Sequence, residues 1–301
     1  MDRLEALRLF LRVAETGSFS RAAHELGVAQ SAASRAVASL ERDLGARLLH
    51  RTTRSLSLTD AGRRASDHAR EVVAAMEALA GSVGAAQGEP AGLLRIGASV
   101  AFTRACLVPL VGEFQRAWPR VRLDLAARDD RLDPVVEGVD LVFRLGAVED
   151  SRLTARRLGS WRRLVVASPG FEAAFGPIRQ PRDLAGAPAL ALTTSAFPAR
   201  WPLASGAERT EVEVSPALRT ANGEVLADLA RAGFGAALAP EFLVSDDLSS
   251  GQLVRLLPDW SGPPLDLTAL WSGRVLPRKA RVFLDFAAPR LFAQAGESRS
   301  A

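Results

Sequence analysis

The tightest constraint on this chain is a pair of short helices separated by a glycine within its first 45 residues. The stretch "RAAHELG" follows Ser20, whose hydroxyl can cap a helix that Gly27 then ends. After a tight turn a third helix starts near Ala29 or Gln30 and closes at Gly45. Ala33, Val37, Leu40 and Leu44 recur along it at intervals of 4, 3 and 4, which predicts the buried face. Leu4, Leu7, Phe10, Leu11 and Ala14 mark an earlier helix packed behind both. Two short helices, a glycine turn and a supporting helix make a helix-turn-helix pattern.

The third helix opens with "AQSAASRAV", residues 29–37, whose surface is small apart from one Gln and one Arg. Its outward stripe is Ser31, Arg35, Ala38 and Arg42, with Ser34 on the flank and Gln30 at the exposed tip. Small side chains let a helix backbone approach a DNA groove, while Gln suits adenine and Arg suits guanine or phosphate. A plain solvent-facing helix would tolerate the same residues, but the helix-turn-helix context favours the groove. The next segment, "ARLLHRTTRSLSLTD", has Leu48 and Leu49, then alternating Leu56 and Leu58, and reads as two short strands. Arg51 and Arg54 belong to the tip of this β-wing, where they can reach a minor groove or phosphates. Thr59 is expected to cap the following helix. The expected DNA contacts are Ser20, Gln30, Ser31, Ser34, Arg35, Arg51 and Arg54.

Charge agrees locally rather than globally. The net charge is only +4, but six Arg lie between Arg42 and Arg64 against Asp43 and Asp60. The single cysteine, Cys106, excludes an intramolecular disulfide and fits a reducing compartment. The charged N-terminal stretch does not read as a signal peptide, and no apolar run is long enough for a membrane span. A cytoplasmic protein with no membrane partner is expected.

The stretch "FLRVAETGSFSRAAHELGVAQSAASRAVASLERDLGARLLHRTTRSLSLTDAG" resembles the DNA-binding domain of the LysR-type transcriptional regulators. The family's Gln, then Ser-Arg four and five residues on, falls on Gln30, Ser34 and Arg35, and its wing arginine falls on Arg54. One departure is Ser31, where many members carry proline; serine is also acceptable in a first helical turn.

From Asp60 to about Val83 there is no proline, and Ala65, Ala69, Val72, Met76, Leu79 and Val83 follow heptad spacing. Such a helix can pair with a second copy or pack on its own protein. The resemblance implies the family's linker helix, hence a homodimer with two heads on a near-palindromic target, and a homotetramer as a dimer of dimers. "GAAQGEPAG", residues 84–92, reads as a hinge.

Beyond it, β and α patterns alternate. Strands are expected at 93–97, 121–125, 139–146, 162–168, 188–193, over "EVEVSPALRT", over "FGAALAP" and at 265–271. Helices are expected from Thr103 to about Ala117, over "RLDPVVEG", from Gly223 to Ala232, and from Pro277 with Val282, Phe283, Phe286 and Leu291 inward. This order argues for two α/β lobes with parallel strands and a ligand cleft between them. The LysR resemblance continues through "VDLVFRLGAVEDSRLTARRLGSWRRLVVASPGF" and "PALRTANGEVLADLARAGFGAALAPEFLVSDDLSSGQLVRLLPDW". It implies a periplasmic-binding-protein-like effector domain in which the last strand and helix return to the first lobe. The family's frequent Asn-Asp before the second-lobe helix is here Asn222-Gly223, so that acidic residue is missing. The expected domains are a winged helix-turn-helix at 1–59, a linker helix and hinge at 60–88, and an effector domain at 89–301. Lobe I would comprise 89–161 and 266–295, and lobe II 162–265.

Ser99, at the start of the first lobe's helix, could hold an anion with the helix amides, or serve as a simple cap. With Val100, Thr103, Phe143, Arg144, Thr193, Phe197, Trp201 and Asn222 it forms the expected effector site, suited to a small carboxylate or aromatic compound. An enzyme is not expected. His24, His50 and His68 all precede the α/β region, leaving Cys106 without a His partner there, and no phosphate-binding glycine motif is present. Asp129-Asp130 and Asp246-Asp247 sit in loop-like contexts and read as solvated. No catalytic residue, metal or cofactor is expected. An exported solute-binding protein or a small-molecule enzyme would use the same two lobes but has no need of a DNA-binding head.

Overall fold

The structure, a computed structural model, describes residues 2–51, 56–83, 89–130, 138–148 and 153–292. Arg54, most of the expected hinge and the expected helix over "RLDPVVEG" fall outside the described residues, as does the Arg51 side chain.

The head is built from α1 (Arg3–Thr16), α2 (Phe19–Glu25) and α3 (Gln30–Asp43), followed by β1 (Leu49–Arg51) antiparallel to β2 (Leu56–Leu58). Phe10, Val13, Ala22, Val37, Leu48 and Leu49 form its core. The cap of α2 is Ser18, not Ser20: the Ser18 hydroxyl accepts from the Arg21 amide at 3.3 Å. The helix begins two residues earlier because Phe19 packs against the core and fixes the first turn. Leu44 is 53 % exposed rather than buried, since α3 has already ended; Ala36 lies inward instead. Glu41 accepts from the Leu48 amide at 2.8 Å and the Leu49 amide at 3.2 Å, which ties the wing to α3.

α4 (Asp60–Val83) follows as one 24-residue helix. The Thr59 hydroxyl caps it, accepting from the Gly62 amide at 2.8 Å. Ala69 is buried in the head core with Ala61, Ala65 and Val73 against it, so the first part of the heptad stripe belongs to the head. Val72, Met76 and Leu79, farther along, are 47 %, 43 % and 54 % exposed.

The remaining chain forms two lobes on one continuous sheet. Lobe I holds β3 (Gly92–Ala98), β4 (Val121–Ala127) and β5 (Leu141–Leu145), with β3 parallel to both neighbours. The helix after β3 starts at Val100, not Thr103, because Ser99 caps it; α5 (Val100–Phe102) passes through a π-helical turn at Thr103–Leu107 into α6 (Val108–Ala117). Lobe II holds α7 (Phe171–Phe175), β7 (Pro188–Leu192), a β8 (Arg200–Ser205) and β9 (Glu208–Glu213) hairpin, β10 (Ser215–Thr220), α8 (Gly223–Arg231), β11 (Ala236–Pro240), α9 (Glu241–Ser249) and β12 (Val254–Leu256). β10 and β11 flank β7 in parallel. "EVEVSPALRT" is therefore two strands of different sheets rather than one, parting at Val214, which is buried in the lobe II core.

Two long strands join the lobes. β6 (Leu153–Ala167) and β13 (Gly262–Ser272) run antiparallel. Along β6 the buried partners change from the lobe I cluster at Trp161 to the lobe II cluster at Val165. α10 (Arg278–Arg290) returns to lobe I, with Phe283, Phe286 and the following Leu291 in its core. Among the described residues no helix is long and apolar enough to cross a membrane.

Candidate nucleic-acid interface and effector cleft

On α3 the inward residues Ala33, Ala36, Val37 and Leu40 are buried, leaving Gln30, Ser31 and Arg35 exposed and Ser34 half-buried. Arg35 lies along its own helix, Nε donating to the Ser31 carbonyl at 3.2 Å. Arg42 does the same with the Ala38 carbonyl at 3.4 Å. Gly27, with φ of 68°, makes the turn that presents this face. Ser20 lies in the first turn of α2, exposed. The arrangement offers a smooth, uncommitted helix face edged by guanidinium groups, the shape and charge that a major groove accepts.

The candidate cleft lies where the lobes touch. Ser99 caps α5 by accepting from the Phe102 amide at 3.3 Å. Opposite it, Asn222 caps α8, its Oδ1 accepting from the Val225 amide at 3.0 Å. Thr193 closes the same edge of lobe II, its amide donating to the Thr220 carbonyl at 2.8 Å and its hydroxyl at 3.2 Å. Ser99, Val100, Thr193 and Asn222 thus stand at strand ends and helix starts of the two lobes. A Cβ at Gly223 would lie 3.2 Å from the Ala101 Cβ, so the two lobes approach closely here.

Other expected contacts are placed elsewhere. Phe143 is a core residue at 2 % exposure, packed against Phe102 with 5.6 Å between ring centres and near Phe283 at 6.3 Å. Its inward direction follows from β5 alternation, which turns Arg144 the other way. Trp201, on β8, is 1 % exposed and fills the lobe II core. Thr103 is buried in the π-helical turn. Phe197 lies under the Arg163 guanidinium, 5.3 Å from ring centre, and Arg163 Nη1 in turn donates to the Pro264 carbonyl at 3.1 Å. Burial lowers the Arg163 pKa from its ordinary value.

The carboxylate pairs are not solvated loops. Asp247 is a buried residue of α9 that accepts from Arg231 Nη1 at 2.8 Å through both oxygens, and this bonding raises the arginine's pKa. Asp129 accepts from the Val100 amide at 3.1 Å and from Asn222 Nδ2 at 2.5 Å. Asp130 and Asp246 are exposed as expected, Asp130 paired with Arg128 at 2.7 Å, although Asp246 lies on α9 rather than in a loop. Cys106 is half-buried against the lobe I core, and burial pushes its pKa up to about 12. Among the described residues no group of His, Cys, Asp or Glu could hold a metal.

Two family models match this architecture. Residues 4–63 match the bacterial regulatory helix-turn-helix protein model of the lysR family, and residues 87–291 match the LysR substrate binding domain. The chain belongs to the LysR family of transcriptional regulators. This LysR-family chain is 35% identical over 291 residues to the HTH-type transcriptional regulator PtxR of Pseudomonas aeruginosa, covering 95% of the chain and 93% of the relative. It is 35% identical over 285 residues to the HTH-type transcriptional regulator CrgA of Neisseria meningitidis, covering 94% and 95%. The solved structure of CrgA aligns with a TM-score of 0.62 at 34% identity, over 95% of this chain and 98% of that one. A full-length OxyR variant from Pseudomonas aeruginosa shares the fold, with a TM-score of 0.73 at 17% identity, over 97% of this chain and 95% of that one. The LysR-family assignment makes this a DNA-binding transcriptional regulator with an effector-binding domain. PtxR and CrgA are both HTH-type transcriptional regulators.

Proposed function

We propose that α3 reads a promoter half-site through Gln30, Ser31, Ser34 and Arg35, that Ser20 contacts the backbone, and that Arg51 and Arg54 reach from the wing. The exposed α3 face carries this reading: no described part of the protein covers it, and its side chains are donors and small groups. Two copies pair along the Val72–Met76–Leu79 stripe of α4, whose exposure is what a pairing helix leaves open in one subunit. Paired heads then fit two half-sites, and dimers associate further into a tetramer.

The effector is a small molecule with a carboxylate or an aromatic ring, received by Ser99, Val100, Thr193 and Asn222. Phe143, Phe197 and Trp201 support the walls from within the lobes. Cys106 is the chain's only cysteine, and burial pushes its pKa up to about 12, which disfavours the thiolate that thiol-based sensing would use. A thermal-shift screen of small carboxylates and aromatic compounds, repeated on Ser99→Ala, tests the site. A compound that stabilises the wild type should lose its effect in the variant while DNA binding persists; an equal response would remove Ser99 from the site.

A further inference from the structure

Asp129 follows β4 in lobe I, yet its two oxygens serve two lobes. Oδ1 accepts from the Val100 amide at 3.1 Å, at the start of the helical run that Ser99 caps. Oδ2 accepts from Nδ2 of Asn222 at 2.5 Å, and Asn222 is the cap of α8 in lobe II. Two helix starts therefore meet on one carboxylate. Each start carries partial positive charge, so bringing them together is repulsive unless an anion lies between them. Asp129 supplies that anion, half-buried, while its neighbour Asp130 turns outward to Arg128. Beside the same contact Arg104 of lobe I pairs with Glu224 of lobe II. Gly223 suits this close approach, since a Cβ there would lie 3.2 Å from the Ala101 Cβ and 3.4 Å from Leu243 Cδ2.

We propose that Asp129 is an inter-lobe latch, a built-in carboxylate that holds the cleft closed in the absence of effector by satisfying the donors an effector anion would take. The proposal rests on reading the Ser99–Asn222 edge as the effector cleft. An anionic effector then enters by displacing Asp129 from Val100 and Asn222, and the energy of binding is coupled to unfastening the lobes.

The test uses the full-length protein without effector. Hydrogen exchange is followed at the Val100 amide and in the first turn of α8, for wild type, Asp129→Ala and the isosteric Asp129→Asn. Asp129→Ala should speed exchange at Val100 about tenfold or more, because its acceptor is gone. Added sodium formate, a carboxylate small enough for the vacated space, should slow it again in the variant and leave the wild type unchanged. Asp129→Asn keeps an oxygen for Val100 but places an amide against the Asn222 amide, so α8 should exchange faster while Val100 changes little. Unchanged exchange in both variants overturns the latch, and so does formate protection of equal size in the wild type. If Asp129→Ala loosens the whole of lobe I, the Asp129→Asn result alone decides: wild-type exchange at α8 refutes the proposal. Failure of the effector-site reading looks different, since the latch would behave as described while no effector response depended on Ser99.

Discussion

Arg35→Ala separates recognition from folding. In the free protein the Arg35 side chain is exposed and makes a single bond to its own helix, Nε to the Ser31 carbonyl at 3.2 Å. Losing that bond while gaining alanine's helix propensity should change stability by no more than about 0.5 kcal/mol. A base or phosphate contact from the same guanidinium is worth about 1–3 kcal/mol. In a dimer both heads lose it, so the total is about 2–6 kcal/mol, at least a roughly thirtyfold loss of affinity. The assay is fluorescence anisotropy on duplexes that the wild type selects from a random pool, repeated over a range of salt. If Arg35 reads a base, preference relaxes at one position in each half-site and the salt slope holds. If it grips phosphate, binding weakens evenly across sequences and the slope falls by about 1 per head. Unchanged affinity, preference and salt slope, with unfolding also unchanged, would remove α3 from the DNA-reading role.

Three further outcomes test other parts of the molecule. Val72→Glu with Met76→Glu places charge on the open stripe of α4 and should release monomers in sedimentation velocity, with weaker promoter binding; an unchanged assembly would place pairing elsewhere. A Cβ at Gly62 would lie 2.0 Å from the Leu48 carbonyl oxygen, so Gly62→Ala must push α4 off the wing. It should cost about 3 kcal/mol or more in the head's thermal transition and leave the effector domain's transition in place. Cys106 should resist alkylation: raising its pKa from 9.0 to about 12 cuts the thiolate fraction near pH 8 about a thousandfold, and urea should restore the rate. The raised value favours the protonated fold, so this group's contribution is full below pH 9.0 and is lost as pH rises toward about 12.

What could be read from the chain follows the range of the interactions. α3 and α4 were legible because their periodicity and caps are local: Ala33, Val37 and Leu40 turn inward at helical spacing, and Thr59 lies three residues from the amide it caps. Strands β3, β5, β7 and β11 were legible as short apolar runs buried on both faces. Of β6 only the second half was legible, within the expected strand at 162–168; its first half, "LTARRLGS", is only partly buried, because one strand serves two cores. α9 was missed for a different reason. In "EFLVSDDLS" the apolar residues are bunched before the acids, and Asp247 is buried against Arg231, so no amphipathic stripe announces a helix.

The cleft divides in the same way. Ser99 and Asn222 each bond an amide three residues on, and local sequence finds such caps. The partners of Asp129 lie 29 and 93 residues away, and nothing near "ARDDR" distinguishes it from Asp130. The clue was the missing acid after Asn222. Gly223 sits where a Cβ would come within 3.2 Å of the Ala101 Cβ, so glycine fits the close approach of the lobes at this position. Two helix starts brought that near still need a negative charge between them. Position 223 is glycine and carries no carboxylate, and Asp129 of the opposite lobe is the residue whose oxygens reach the Val100 amide at one helix start and the Asn222 cap at the other.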